Sequence, residues 1–145
     1  MHSLSEDIEI FKLDSTLEQD TVALGDTADY DIRLANDSRF PWVIVVPKVE
    51  MATELYHLTL AQQQQLALDS ARLGSELMEL FSGDSLNTGA LGNVVRQLHI
   101  HHVVRYKTDQ AWPGPVWGAG TAIRYSEQKL ADRVKKLQQE LTIFR

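Results

Sequence analysis

The residues of this chain best suited to chemistry are His99 and His101, in the run Gln97-Leu98-His99-Ile100-His101-His102-Val103-Val104-Arg105. Side chains of an extended segment alternate between two faces. Gln97, His99, His101 and Val103 therefore share one face, and Leu98, Ile100, His102 and Val104 the other. Burial of the Leu98/Ile100 face fixes the register and presents two imidazoles side by side on a stiff support. Neutral imidazole is a competent nucleophile toward phosphorus, and its reference pKa of about 6.5 keeps it available near neutrality. A second imidazole two residues along reaches the same phosphate, where its cationic form would donate to a leaving-group oxygen. Gly92 and Asn93, just upstream, offer backbone N–H groups and an amide for charge on the other phosphate oxygens.

Two further readings compete with this one. Some of these histidines are half-buried strand residues with satisfied ring nitrogens, which is the expectation for His102 on the apolar face. Alternatively, a His-x-His pair places two imidazoles on one metal ion, but zinc needs at least a third protein ligand. The remaining candidates, His2, His57 and Asp109, carry no ligand spacing, so neither a metal nor another cofactor is expected. Phosphoryl or nucleotidyl chemistry, which requires no metal and no thiolate, leads.

Composition narrows the partners. The chain has 145 residues, 43% of them hydrophobic, enough for one domain over 1–145 with a sizeable core. Its net charge of -6 argues against nucleic acid or an anionic membrane as partner. Arg96, Arg105, Lys107 and Arg124 still leave room for one phosphate-bearing small molecule, although a strand-end arginine such as Arg105 is ordinarily exposed. The opening Met1-His2-Ser3-Leu4-Ser5-Glu6 lacks the basic and apolar segments of a signal peptide, and no run approaches the ~20 apolar residues of a membrane span. No cysteine is present, which excludes disulfides and sulfur ligands. A cytoplasmic protein is the plain expectation.

The elements that must hold the pair are legible in outline. Residues 1–20 read as an irregular or partly helical lead-in. Thr21–Leu24, then Tyr30–Leu34 with its alternating pattern, then the apolar run Trp42–Val46 before Pro47 form an antiparallel meander, the last strand buried on both sides. Thr59 and Gln62 form a capping box opening a helix whose core positions are Leu66, Leu73, Leu77, Leu80 and Phe81, with Gly83 as its stop. Asn87–Asn93 starts as a strand and breaks into a glycine-bearing loop, and the histidine strand runs from about Val94 to Arg105. Two prolines three apart make 111–118 a stiff loop carrying Trp112 and Trp117. A last helix over about 126–143 has Leu130, Val134, Leu137 and Leu141 on one stripe and a solvated face at Arg133, Lys135 and Lys136. The absence of β-α-β alternation gives an α+β class, with a helix packed on an antiparallel sheet.

Gln97-x-His99-x-His101 resembles the His-x-His-x-His strand of the histidine-triad (HIT) family of nucleotide hydrolases and transferases, with glutamine in the first place. Asn87-x-Gly89 and Gly92-Asn93-x-Val95 resemble the family's approach to the triad, Trp112-Pro113 a tryptophan-proline element of some branches, and residues 30–48 its nucleoside-binding hairpin. The similarity spans roughly 22–118. It implies a five-stranded antiparallel sheet with one long helix and a C-terminal helix, usually in a homodimer. It implies His99 as nucleophile, His101 as the histidine that assists the leaving group, and Gln97 as the residue orienting His99. Asn93 falls at a phosphate-contacting position, Gly92 and Asn87 in the same nucleotide-binding approach, and Asn36 or Asp37 near the ribose. Val94 stands where several members carry a hydroxyl residue. Trp112 and Trp117 either stack on a base or close the pocket, or else they cover the sheet edge or a dimer contact. The expected function is hydrolysis of a nucleoside phosphate derivative, such as a dinucleoside polyphosphate or nucleotide conjugate, through a nucleotidyl-histidine. The alternative is a nucleotide-binding module with little catalysis.

Overall fold

In a computed structural model, residues 11–145 are described; the opening Met1–Glu6, and His2 with it, lie outside the described residues. A short helix α1 (Ser15–Asp20) precedes strands β1 (Thr21–Asp26), β2 (Tyr30–Ala35) and β3 (Trp42–Pro47). Helix α2 (Leu60–Phe81), strands β4 (Ser85–Ala90) and β5 (Ile100–Arg105) and helix α3 (Glu127–Glu140) follow. The strands form one sheet in the order β1-β2-β3-β5-β4, antiparallel throughout. The class is α+β, with one long helix on a five-stranded sheet and a second helix near the C-terminus. Among the described residues, no helix is long and apolar enough to cross a membrane.

The helix ends follow local chemistry. The Thr59 side chain accepts from the Gln62 N–H, and the Gln62 side chain accepts from the Thr59 N–H, closing the expected capping box. At the other end Ser82, not Gly83, adopts the left-handed conformation, with φ 50°. Gly83 is instead required by space, because a Cβ there would run into the side chains of Val104 and Met78. Helix α3 starts at its Ser126 cap, where the hydroxyl accepts from the Lys129 N–H. Lys135 and Lys136 are exposed, as a solvated face requires, while Arg133 is half-buried, and both Arg133 and Lys136 reach over the Phe81 ring.

The two faces of the sheet bury different things. On one, Ile32, Leu34, Val43, Val45, Ile100 and Val104 pack against Leu66, Leu73 and Leu77 of α2 and Leu137 of α3. Each such side chain contributes roughly 1.5–3 kcal/mol on burial. The other face carries the histidine pair and is roofed from two sides. Phe11, Leu13 and Leu17 cover Ala35, Ile44 and Val46, while Ala111, Val116 and Trp117 gather around Phe40, Trp42 and Val103.

Three details of the sequence reading are revised. The histidine strand begins at Ile100, not Val94. Strand β4 ends at Ala90, which pairs with Ile100, so residues 91–99 have no strand partner and form an irregular connection. Gln97 and His99 therefore stand ahead of the strand, with the Leu98 N–H bound to the Ala52 carbonyl at 3.0 Å. Arg105 is not solvent-exposed: its side chain is 1% accessible and its guanidinium reaches Asp109 at 2.8 and 3.0 Å and Asn87 at 2.7 Å. Asp109 also accepts from the N–H groups of Tyr106, Ala111 and Trp112, so one buried ion pair folds the loop that follows β5. Removing either partner would leave a buried charge alone, at a cost of about 3–5 kcal/mol.

His102 behaves as expected of a core histidine, and the structure supplies its partners. Nδ1 donates to the Val43 carbonyl at 3.2 Å and Nε2 accepts from the Ser70 hydroxyl at 2.9 Å, tying β5 to β3 and α2. Burial pushes its pKa down to about 4, against the pull of the carbonyl contacts. Above pH ~6.5 the ring is neutral folded and unfolded. Below it the unfolded chain takes up the proton first, so stability falls as pH drops toward 4. Between pH 7 and pH 4.5 this one group removes roughly 2–3 kcal/mol. His102→Gln should flatten that part of the profile; urea unfolding at the two pH values measures it, and an unchanged difference would contradict this account.

Candidate active site

Strand β5 runs between β3 and β4 with Ile44 and Gly89 both opposite His101, and Trp42 and Asn87 both opposite Val103. Residues directly opposite one another point to the same side. Trp42, Gly89 and Asn87 therefore share the face of His101, while His102 and Ile100 point into the core under α2. His99 immediately precedes the strand and keeps the alternation. The two ring centroids are 4.8 Å apart and meet edge to face.

Hydrogen bonds give the two rings opposite tautomers. His99 Nδ1 lies 2.7 Å from the carbonyl oxygen of Gln97. A carbonyl only accepts, so Nδ1 carries the proton and the Nε2 lone pair is left available. Trp42 Nε1 lies 2.9 Å from His101 Nδ1. An indole N–H only donates, so in the neutral ring the proton sits on Nε2. One imidazole thus offers a nucleophilic nitrogen and its neighbour offers a donor. Burial, with His99 and His102 close by, pushes the His101 pKa down to about 3. The cationic donor expected from the sequence is therefore replaced by a neutral one, which gives a hydrogen bond rather than a proton.

The structure brings some expected residues to the pair and assigns others to different contacts. Gln97 contributes its carbonyl to His99. Its side chain accepts from the Asp14 N–H at 2.8 Å and donates to the Lys12 carbonyl at 2.9 Å, anchoring the lead-in. Asn87 accepts from Arg105. The Asn36 side chain accepts from the Tyr125 N–H at 3.0 Å. Asp37 holds Arg39 through contacts of 2.8–3.2 Å and accepts from the Ile123 N–H at 3.3 Å. Burial, the largest single influence, would raise the Asp37 pKa, but the hydrogen bonds from Arg39 and the Ile123 N–H together with the Arg39 charge outweigh it and hold the carboxyl below the usual range. Asn36 and Asp37 thus fasten the segment that leads into α3. Asn93 is exposed and Gly92 lies in the irregular connection beside it, with Val94 92% accessible. Trp112 is joined to Pro113 by a cis peptide bond, and its ring lies under the Arg105 guanidinium at 5.8 Å.

Two indoles flank the pair, and only one of them, Trp117, is a candidate from the sequence. Trp42 read only as the start of an apolar strand; its pairing opposite Val103 reveals the face it shares with His101. Trp117 packs edge to face on His101 with centroids 5.3 Å apart. His99 and His101 are 5% and 6% accessible, so the pair is almost closed in this conformation. The other candidate metal ligands lie in local structure: His57 Nδ1 accepts from the Thr53 and Glu54 N–H groups, and Asp109 holds Arg105. Among the described residues, no group of three or more His, Asp or Glu side chains is placed to hold a metal ion.

The geometry can be set beside known proteins. The family model described as HIT domain matches residues 16–108. A solved histidine triad protein from Marinobacter aquaeolei VT8 is 46% identical with a TM-score of 0.90, over 94% of this chain and 100% of that one. Another from Sinorhizobium meliloti 1021 is 37% identical with a TM-score of 0.87, over 90% and 97% of the two chains. A third from Bradyrhizobium japonicum is 33% identical with a TM-score of 0.88, over 92% and 99%. No curated protein matches the chain. A sheet of this topology, a Gln-x-His-x-His run leading into β5, a family-model match over more than half the chain and these full-length likenesses together place the protein in the histidine triad family.

Proposed function

We propose that the protein is a nucleotide hydrolase in which His99 and His101 carry the reaction. The single observation that supports this most is the opposite tautomers of the two rings. The His99 Nε2 lone pair attacks the α-phosphorus of a nucleoside phosphate derivative, an N–P bond forms, and the P–O bond to the leaving group breaks. The Gln97 carbonyl, bound to Nδ1–H at 2.7 Å, stabilises the positive charge that develops on the ring. His101 Nε2–H donates to the oxygen that accumulates negative charge, and water then cleaves the nucleotidyl-histidine.

A neutral imidazole is a poor acid, so this arrangement favours leaving groups that need no proton. A phosphate displaced from a phosphoanhydride meets that condition, whereas an amine or alkoxide does not. Dinucleoside polyphosphates therefore fit better than amine-linked nucleotide conjugates, in keeping with the exposed Val94. A homodimer is part of the reading. Strand β4 is a sheet edge, and beside it Leu55, Leu66, Ala67, Ala90 and Ile100 help line a mostly apolar groove of about 440 Å³.

A second reading is favoured by one observation, the near-closure of the pair together with the internal use of Asn36, Asp37 and Asn87. A module that binds a mononucleotide with little turnover fits those features. Incubation with a dinucleoside polyphosphate, acid quench and mass analysis separates the two. Hydrolysis predicts turnover and a nucleotidyl adduct on His99, both lost by at least about a thousandfold in His99→Asn. Binding that survives His99→Asn, with no turnover in either protein, would establish the module instead.

The tautomer argument generates its own test. Trp42→Phe keeps the aromatic contact but deletes the donor that holds His101 Nδ1. The expected result is a roughly tenfold fall in kcat with KM little changed, from loss of one oriented hydrogen bond. An unaltered kcat would show that Trp42 does not position His101. Sedimentation equilibrium should give twice the chain mass, and Ala67→Glu at the groove should return it to the monomer; a monomeric wild type overturns the dimer.

A further inference from the structure

We infer that Trp117 is a substrate-contacting residue whose indole N–H donates to a phosphoryl oxygen of the nucleotide bound at His99 and His101. The inference rests on the site reading above and extends it to a residue outside the triad.

Three observations converge on this residue. Trp117 Nε1 is buried, yet it has no hydrogen-bond partner in the protein. It is the only buried side-chain nitrogen or oxygen in that condition among the described residues. Buried donors are almost always paired, and an unpaired one costs about 1–3 kcal/mol, so such exceptions concentrate where function supplies the partner. Next, the ring is held against the reacting pair, edge to face on His101. Gly89, opposite His101 in the sheet, borders the same ring: a Cβ there would meet Trp117 Cη2 at 3.5 Å, an ordinary contact distance. Finally, the indole is fixed in advance. Val116 is 3% accessible in a cluster with Phe40 and Val103, and the Ala119 N–H closes a turn on the Val116 carbonyl at 3.1 Å.

The chemistry selects the ligand atom. An indole N–H has no acceptor capacity, so its partner must be a lone pair. Anionic oxygens give the stronger bond. Any nucleotide that brings phosphorus to His99 Nε2 also brings non-bridging phosphoryl oxygens to the neighbourhood of His101. The contrast with Trp42 is informative. Both indoles touch His101, but Trp42 donates to its Nδ1 and is satisfied, whereas the Trp117 donor is left for the ligand.

The test is an NMR titration of the full chain carrying indole-15N tryptophan, whose three signals are assigned with Trp42→Phe, Trp112→Phe and Trp117→Phe. Saturating AMP should move the Trp117 indole proton downfield, whereas adenosine, which lacks the phosphate, should leave it in place. Trp117→Phe keeps a ring on His101 and removes the donor. It should bind AMP about tenfold more weakly while its Tm stays close to that of the wild type. If AMP moves the Trp42 signal but not that of Trp117, and Trp117→Phe binds as tightly as wild type, the inference fails and the site reading stands. If AMP moves no indole signal and calorimetry detects no binding, both fail together.

Discussion

The site depends on one constraint, the register of β5 between β3 and β4. Every residue of β5 is buried, so both of its faces are committed: His102, Ile100 and Val104 to the core under α2, and His101, Val103 and Arg105 to the opposite side. A slip of one residue would drive His101 into the aliphatic core and lift His102 to the surface of the sheet. His102 opposes such a slip directly, because its two nitrogens are already matched to the Val43 carbonyl and the Ser70 hydroxyl. His102, turned into the core, thus helps keep His99 and His101 in place.

From that register the electrostatics follow. A neutral imidazole has one donor and one acceptor nitrogen, and the hydrogen bond at one decides the role of the other. The main-chain oxygen of Gln97 assigns His99, and the Trp42 indole assigns His101. Because the first partner is a carbonyl, a glutamine at position 97 satisfies it as well as any other residue would. Its side chain is then free to bind residues 12 and 14, which draws the lead-in across the sheet. Substitution at this triad position changes what covers the site more than what orients His99.

The loop beyond β5 completes the enclosure through a different interaction. Arg105 and Asp109 form a buried pair whose remaining hydrogen-bonding capacity is spent on Asn87 and on three backbone N–H groups. That satisfaction makes a buried charge tolerable and gives the loop a defined course. The course matters because it brings Val116 into the Phe40 cluster and lays Trp117 on His101. Two of the residues that resembled nucleotide contacts, Asn36 and Asp37, serve the same end by fixing the segment from Ala119 to Tyr125.

What the chain determined by itself was local. Alternation set the faces of Tyr30–Leu34 and of the histidine run, the Thr59/Gln62 box opened α2, and the His99/His101 pair announced itself by spacing. These depend on neighbours in sequence and survive any arrangement of the rest. Tertiary structure decided where the histidine strand begins, since Ile100 is the last residue that β4 can reach. It also decided that Arg105 is buried, that Asn87, Asn36 and Asp37 bind the protein's own backbone and side chains, and that His101 is a neutral donor. Each of these turns on a partner far away in the chain: the Trp42 donor lies 59 residues from His101 and the Tyr125 N–H 89 residues from Asn36. Periodicity carries no information about such pairs, because it reports which way a side chain points and not what it meets there.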